Sequence, residues 1–142
     1  MLVGDMALVS AALFTGAAFY VNFVEQPARL ALDDRSLLIQ WKPAYKRGTI
    51  MQSSLAIVGF ILGIAAWYQS GILAFLVGGV LMLGNWPWTL LVIMPTNRAL
   101  MATDPAAVSS ASRALLVTWN RLHAVRTGLG AAATVSFVWA LA

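Results

Sequence analysis

His123 is the only histidine in the 142-residue chain, and it lies in a polar segment, residues 119–127, that leads into an apolar C-terminal segment. Asn120, His123 and Thr127 follow one another at intervals of three and four residues, so a helix presents them on one face, with Arg126 beside them. Histidine exchanges protons near neutral pH and binds metal ions, and arginine stabilises anions. This segment is therefore the first candidate for a reactive site.

A carboxylate, Glu25, lies at the end of the first apolar segment and shares a helical face with Asn22 and Arg29. A carboxylate at membrane depth is costly unless it faces protein or water and finds a basic partner. We therefore expect Glu25 to pair with a basic residue of the polar segment; the candidates are Arg121, His123 and Arg126. A second interpretation stays open, in which Glu25 and Arg126 only clamp two helices together and His123 only packs.

Two tryptophans, Trp86 and Trp88, flank Pro87 near the middle of a long uncharged segment, where no interfacial aromatic belt would place them. They are two positions apart and point to different faces of a helix, so at most one of them lines an internal cavity. Asn85 beside them must hydrogen-bond inward. Core packing around a proline is the alternative to a ligand cavity.

The composition indicates that these residues belong to a membrane protein. Hydrophobic residues make up 61% of the chain and charged residues 10%, outside the usual balance of a soluble domain. Four apolar segments predict transmembrane helices at about residues 5–26, 49–68, 72–94 and 121–142 of a single domain, residues 1–142. The expected fold class is therefore all-α, an integral membrane four-helix bundle.

The connections between these helices carry signals of their own. Residues 41–48 predict a rigid turn before the second helix, and Pro95 is expected to end the third. Asp104, with the proline that follows it, predicts a short interfacial helix before the fourth transmembrane helix. Residues 127–142 alone span about 24 Å, less than the ~30 Å of hydrocarbon, so the fourth helix must include polar residues from about Arg121 onward.

All nine lysines and arginines lie in or beside the first and third connections, which four crossings bring to one side of the membrane. The positive-inside rule makes that side cytoplasmic and places both termini outside, in what we expect to be a bacterial inner membrane. The basic residues flank apolar segments, so the net charge of +4 does not indicate nucleic-acid binding. Cysteine is absent, which excludes thiolate chemistry.

Under this topology each helix contributes polar groups to a ring at the cytoplasmic rim of the bundle. The ring comprises Asn22, Glu25, Gln26, Gln52, Asn97, Arg98, Asn120, His123, Arg126 and Thr127. As metal ligands His123 and Glu25 make a thin set. Haem bound by His123, a transition-metal site and a chain that needs no cofactor all stay open. A homo-oligomer also stays open, since four helices bury little area.

Four motifs give the chain a resemblance to a known family. They are Asn22-Phe23-Val24-Glu25-Gln26-Pro27-Ala28-Arg29, residues 41–48, Pro95-Thr96-Asn97-Arg98 and Trp119-Asn120-Arg121-Leu122-His123-Ala124-Val125-Arg126. Over essentially its whole length the chain resembles the anthrone-oxygenase-like family of small membrane proteins. The resemblance implies a four-helix membrane protein and, for some relatives, the oxidation of an anthrone by dioxygen to an anthraquinone.

The resemblance also implies roles for the rim residues in that reaction. His123, oriented by Glu25 or Asn120, would remove a proton from the acidic methylene of an anthrone. Arg126 or Asn97 would stabilise the enolate oxygen. The remaining substrate-binding candidates are Asn22, Arg98 and Asn120 at the rim, and Trp86 and Trp88, either of which would stack on the flat rings.

We therefore expect a membrane-embedded oxidoreductase or oxygenase whose partners are the lipid bilayer and a hydrophobic aromatic molecule, anthrone-like or quinone-like. A small transporter is an alternative, but carriers of that kind show weak charge bias, whereas the bias here is complete and Glu25 lies at the rim. A structural or assembly subunit also stays open, as does a haem- or metal-binding membrane protein.

Overall fold

The computed structural model describes residues 1–142 and contains four long helices and no strand. The helices are α1 (Leu2–Leu30), α2 (Asp34–Ser70), α3 (Leu73–Ala102) and α4 (Ser110–Leu141). Each is long and apolar enough to cross a membrane. The all-α class and the four-helix bundle predicted from the sequence are thereby confirmed.

Each helix packs against two others: α1 and α3 both lie against α2 and α4. Glycines permit the closest approaches between backbones. A Cβ atom added to Gly63 of α2 would lie 2.9 Å from Cα of Gly79 on α3. One added to Gly130 of α4 would lie 2.7 Å from the ring of Phe14 on α1. The bundle is therefore held by the close small-residue contacts typical of helices in lipid.

Two apolar cores lie at different levels of the bundle, with polar side chains between them. The first, here called the terminal core, contains Ala7, Ala11, Phe14, Ala18, Ala56, Ala66, Phe75, Met82, Ala133, Phe137 and Ala140. The second, the basic-end core, contains Leu37, Leu38, Trp41, Ile93, Leu100, Leu116 and Trp119. The buried polar layer between them comprises Asn22 and Gln26 on α1, Gln52 on α2, Asn85 on α3, and His123 and Arg126 on α4.

The predicted rigid turn at residues 41–48 is wrong, because this segment is helical and α2 begins at Asp34. The Asp33 carboxylate caps the helix by accepting a hydrogen bond from the Ser36 amide at 3.0 Å, which holds the pKa of Asp33 below its ordinary value. Leu37 and Trp41 are buried in the basic-end core. That packing carries the helix through Pro43, which lies inside it.

The third helix does not end at Pro95, because it continues to Ala102. A π-helical turn, Thr89–Ile93, precedes the proline, and the Met94 amide bonds to the Thr89 carbonyl. Pro95 then lies in the first turn of the next α-helical segment, where its missing N–H is not needed. In α1 the π turn Val21–Glu25 precedes Pro27 in the same way.

The residues expected to form a short interfacial helix before α4 are divided between two elements. Pro105–Ala107 form a 3-10 turn, and the Asp104 side chain accepts a hydrogen bond from the Ala106 amide at 2.8 Å. From Ser110 onward the chain is continuous with α4. Ser109 and Ser112 form a capping box at the start of α4, so the polar segment lies well inside one long helix.

Candidate functional site

Asn22 is the centre of the hydrogen bonds that join α1 to α4 in the polar layer. Its amide nitrogen donates to the backbone oxygen of Asn120 at 2.8 Å and to the side-chain oxygen of Asn120 at 2.7 Å. Its amide oxygen accepts from the Thr127 hydroxyl at 2.6 Å and lies 2.8 Å from Nδ1 of His123. The three residues predicted to share one face of α4 therefore all contact one asparagine.

These contacts determine which nitrogen of His123 carries the proton in the neutral ring. The backbone oxygen of Asn120 can only accept, so the Asn22 atom beside it is the amide nitrogen. The Asn22 atom beside His123 is then the amide oxygen, which also only accepts, and Nδ1 of His123 must donate. His123 keeps a lone pair on Nε2, which has no partner in the protein.

Arg126 lies one helical turn beyond His123 and is 7% exposed, yet no group of the protein neutralises it. Its Nε–H is buried without a hydrogen-bond partner. The ion pairs of the chain are Met1–Asp5, Glu25–Arg29 and Asp34–Arg113, and none of them includes Arg126. Its guanidinium lies over the face of Phe14, 5.5 Å from the ring centroid. A buried cation of this kind favours an anionic or strongly accepting ligand.

Two cavities adjoin Arg126. The first, of about 30 Å³, lies at the level of the polar layer. His123, Arg126, Gln52, Tyr45, Asn97 and Glu25 are among its lining residues. Gln52 Oε1 is buried there without a hydrogen-bond donor. This cavity therefore combines a basic nitrogen, a cation and an unused acceptor.

The second cavity, of about 120 Å³, lies between α2 and α3. Thr49, Ser53 and Ala56 line it from α2, and Asn85, Trp86 and Thr89 are among the lining residues of α3. Arg126 and Thr49 line both cavities, so the guanidinium borders both spaces. Arg126 is the only charged residue in the lining of the second cavity.

Glu25 does not pair with Arg121, His123 or Arg126, and that prediction is wrong. It pairs instead with Arg29, four residues further along α1, at 2.9 Å, and accepts a hydrogen bond from Gln40 at 3.2 Å. Arg29 also donates to the side-chain oxygens of Gln26 and Gln40. Glu25 lines the first cavity as part of this closed network, and it does not orient His123.

The other predicted substrate-binding residues lie in different places. Asn97 lines the first cavity, and its side-chain oxygen accepts from the Trp119 indole at 2.9 Å. Trp86 lines the second cavity, whereas Trp88 is packed against the basic-end core and donates to the Leu122 carbonyl at 3.0 Å. Arg98 is exposed and lines neither cavity.

Asn22 and Asn120 line neither cavity, and the contact of Asn22 with His123 was not predicted from the sequence. The sequence carried one signal for it, since Asn22 has the polarity needed to face the polar stripe of α4. No three side chains of the His, Cys, Asp or Glu types lie close enough together to hold a metal ion. His123 and Glu25, the two residues named as ligands if a metal were bound, each contact other protein groups: Asn22 and Arg29, respectively.

Comparison with known proteins identifies the family. The profile of the anthrone oxygenase family matches residues 41–136. An anthrone oxygenase of Claviceps purpurea is 29% identical over 92% of this chain and 83% of its own length. The anthrone oxygenase tpcL of Aspergillus fumigatus is 30% identical over 85% of this chain and 81% of its own length.

A third relative, the anthrone oxygenase ptaC of Pestalotiopsis fici, is 36% identical over 62% of this chain and 72% of its own length. No solved structure matches the chain. The family match covers most of α2, all of α3 and most of α4, and so includes His123, Arg126 and every lining residue of the second cavity. The chain therefore belongs to the anthrone oxygenase family, as its motifs had indicated.

Proposed function

We propose that this chain is a membrane-embedded oxygenase that converts an anthrone, or a closely similar acidic aromatic ketone, into the corresponding quinone. The observation that carries the proposal is the arrangement around His123. Asn22 fixes the proton on Nδ1, which leaves a basic Nε2, and an unpaired guanidinium follows one turn later beside the same cavity. A base next to an anion-stabilising group is what enolate formation requires.

Membrane embedding is supported by the lengths of the helices and by their apolar surfaces. The 37 residues of α2 extend about 56 Å, well beyond a ~30 Å hydrocarbon core, so its basic N-terminal part stands outside the lipid. The nine basic residues favour a cytoplasmic position for that end and an outer position for both termini. The bacterial inner membrane stays a prediction, and the relatives named above are fungal.

The first chemical step is removal of a proton from the methylene opposite the ketone. Nε2 of His123 takes this proton, and the electron pair of the C–H bond delocalises into the rings and onto the ketone oxygen. Arg126 then hydrogen-bonds to an oxygen that has become an enolate. Because no anionic group of the protein pairs with this guanidinium, its interaction with the substrate oxygen strengthens as negative charge develops there.

The enolate is then oxidised by dioxygen, which is the second substrate. One electron passes to dioxygen, and the resulting carbon radical and superoxide combine to form a C–O bond. The peroxide anion takes the proton back from the imidazolium. His123 next removes the remaining hydrogen from the same carbon, the O–O bond breaks and hydroxide leaves as water. The methylene loses four electrons, dioxygen gains four, and the products are the quinone and one water.

Replacement of His123 by asparagine tests this assignment, because an asparagine side chain keeps an N–H near the Nδ1 position and lacks the basic Nε2. We expect H123N to retain the contact with Asn22 and the folded state, and to lose at least about 100-fold in turnover. Turnover is measured as quinone absorbance and dioxygen uptake in proteoliposomes, after subtraction of the spontaneous oxidation of the anthrone.

The matched control is Arg121→Gln, a change on an exposed position of the same helix, which should keep the wild-type rate. A normal rate of anthrone oxidation in H123N, with the protein folded, would remove His123 from the reaction. A loss of rate in R121Q as large as that in H123N would show that the assay reports damage to α4 in general.

A further inference from the structure

We propose that the cavity between α2 and α3 binds the ring system of the substrate and is loaded sideways from the lipid phase. This inference rests on the proposed function for the identity of the ligand. The ligand class is a flat, mainly apolar ring system with one carbonyl or enolate oxygen at its end. The site is separate from the small cavity beside His123, although Arg126 lines both spaces.

The outer side of this cavity faces the surface of the bundle where lipid chains would lie. Trp86 and Leu90, both lining residues, are 38% and 52% exposed. The exposed side chains nearby on the same helices, Leu91 and Val58, are apolar. The whole segment 48–97 that forms α2 and α3 here is uncharged. A molecule that dissolves in lipid therefore reaches this opening without passing through water.

The inner end of the cavity is the unpaired guanidinium of Arg126. Around it the wall carries two further buried polar atoms without partners, Asn85 Oδ1 and Thr89 Oγ1. Buried polar atoms in native proteins are almost always hydrogen-bonded, and those that are not call for a ligand or an ordered water. A mainly apolar cavity that ends on such groups suits a molecule with apolar rings and a polar end.

Trp86 stands at the opening and connects α3 to α2 across it. Its indole nitrogen donates to the Ser53 carbonyl at 3.4 Å, a long and weak hydrogen bond. The indole covers the opening without holding it firmly closed. A flat ring that displaced this hydrogen bond would exchange it for stacking on the indole face, with its carbonyl directed inward to Arg126.

Arg126 relates the bound ring to the base. Its guanidinium lines both cavities, and His123 lines the first. With one oxygen of the ligand at Arg126, the opposite edge of the ring points toward the opening. The second cavity is therefore a site of binding and selection, distinct from the position in which His123 takes the proton.

Two adjacent serines of α2 offer a matched test. Ser53 lines the cavity, whereas Ser54 is exposed, and both hydroxyls donate to the same Ile50 carbonyl. Ser53→Phe fills the opening, and Ser54→Phe adds the same ring on the outside. Binding of the anthraquinone product is measured in lipid nanodiscs by quenching of tryptophan fluorescence. We expect S53F to weaken binding at least tenfold and S54F to bind as the wild type does.

A smaller obstruction, Ser53→Leu, should give an intermediate loss, and it keeps the test valid if the phenylalanine variant fails to fold. Equal product affinity in S53F, S53L and S54F would overturn the proposed site. Because binding of the product requires no turnover, this result is independent of H123N. Loss of binding in S53F together with an active H123N would retain the site and reject the base.

Loading from the lipid phase is tested with lipids brominated at the middle of the acyl chain, which quench nearby indoles. The contribution of Trp86 is the difference between the wild type and Trp86→Phe. We expect bromolipids to quench this contribution, and saturating product to change that quenching. A Trp86 emission that bromolipids do not reach, or that product leaves unaltered, would contradict access through this opening.

Discussion

Two arginines are buried in the bundle, and their surroundings differ. Arg29 on α1 is 4% exposed and its guanidinium contacts three side chains, Glu25, Gln26 and Gln40. Arg126 on α4 is 7% exposed and has no ion pair or hydrogen bond within the protein. Both cations lose water on folding, but only that of Arg29 is compensated by the chain itself.

This difference separates a structural charge from a functional one. A paired buried arginine joins helices, and removal of either partner leaves a costly unpaired charge. An unpaired buried arginine lowers the stability of the folded protein, and it persists where a ligand supplies the missing partner. The comparison predicts that changes at Arg126 affect turnover and changes at Arg29 affect stability.

The largest effect is expected for Arg126→Gln. Loss of the guanidinium removes the donors that stabilise the enolate, so turnover should fall by about 100- to 1,000-fold, the range seen when one oxyanion donor is lost. The thermal midpoint in detergent should stay the same or rise, because the variant removes an uncompensated buried charge.

Quinone formation and thermal unfolding are measured on the same preparations, with Arg121→Gln as the control. Arg126→Lys keeps the charge and loses the planar fork, and should recover only part of the rate. If R126Q were strongly destabilised and R121Q were not, Arg126 would have a structural partner and the contrast with Arg29 would fail.

Arg29→Gln should produce the opposite pattern. It leaves the Glu25 carboxylate without its ion pair and two amide oxygens without a donor, at a cost of about 3 kcal/mol in the free energy of unfolding. Turnover per folded molecule should change less than tenfold, because Arg29 already has partners in the protein.

The double variant Glu25→Gln/Arg29→Gln sharpens this prediction. Removal of both charges leaves no unpaired carboxylate, so the double variant should be more stable than R29Q alone. Unfolding midpoints of the wild type, the two single variants and the double variant complete the cycle. Additive losses in the cycle would mean that the ion pair contributes nothing to the bundle.

The part of the fold that could be predicted from the sequence is the part that crosses the hydrocarbon. Four apolar segments of sufficient length specify four helices, and the structure has them. The ends of the helices were missed, because apolar length measures only the part inside hydrocarbon. The helices α2 and α4 extend beyond the hydrocarbon because residues at their basic ends form a core of their own, with Leu37 and Trp41 from α2 and Leu116 and Trp119 from α4. A count of uncharged residues does not detect this core.

The candidate site was predictable on α4 and less so on α1. Regular α-helical spacing placed Asn120, His123 and Thr127 on one face, and all three do contact Asn22. On α1 the π turn Val21–Glu25 adds one residue to a turn, which shifts the register by about 100°. Glu25 therefore does not face α4 as Asn22 does. It pairs with Arg29, four residues further along α1.

Expressed as free energy, the smallest of the three effects is expected at Asn22, which is fully hydrogen-bonded as Arg29 is but contacts His123. Asn22→Leu removes the acceptor that holds the His123 proton on Nδ1, so the basic lone pair no longer stays on Nε2. Turnover should fall by about 10- to 100-fold through kcat, with little change in KM, since Asn22 lines neither cavity.

Asn22→Asp keeps an acceptor for Nδ1–H and should restore part of the rate. This partial recovery is not expected if Asn22 has only a structural role. Thr127→Val serves as the matched control, because it removes the other donor to the same Asn22 oxygen and leaves His123 in place. This substitution removes one hydrogen bond, worth about 1 kcal/mol, so the rate should change by at most about fivefold. Equal losses of rate in Asn22→Leu, Asn22→Asp and Thr127→Val would mean that Asn22 holds α1 to α4 and does not set the tautomer of His123.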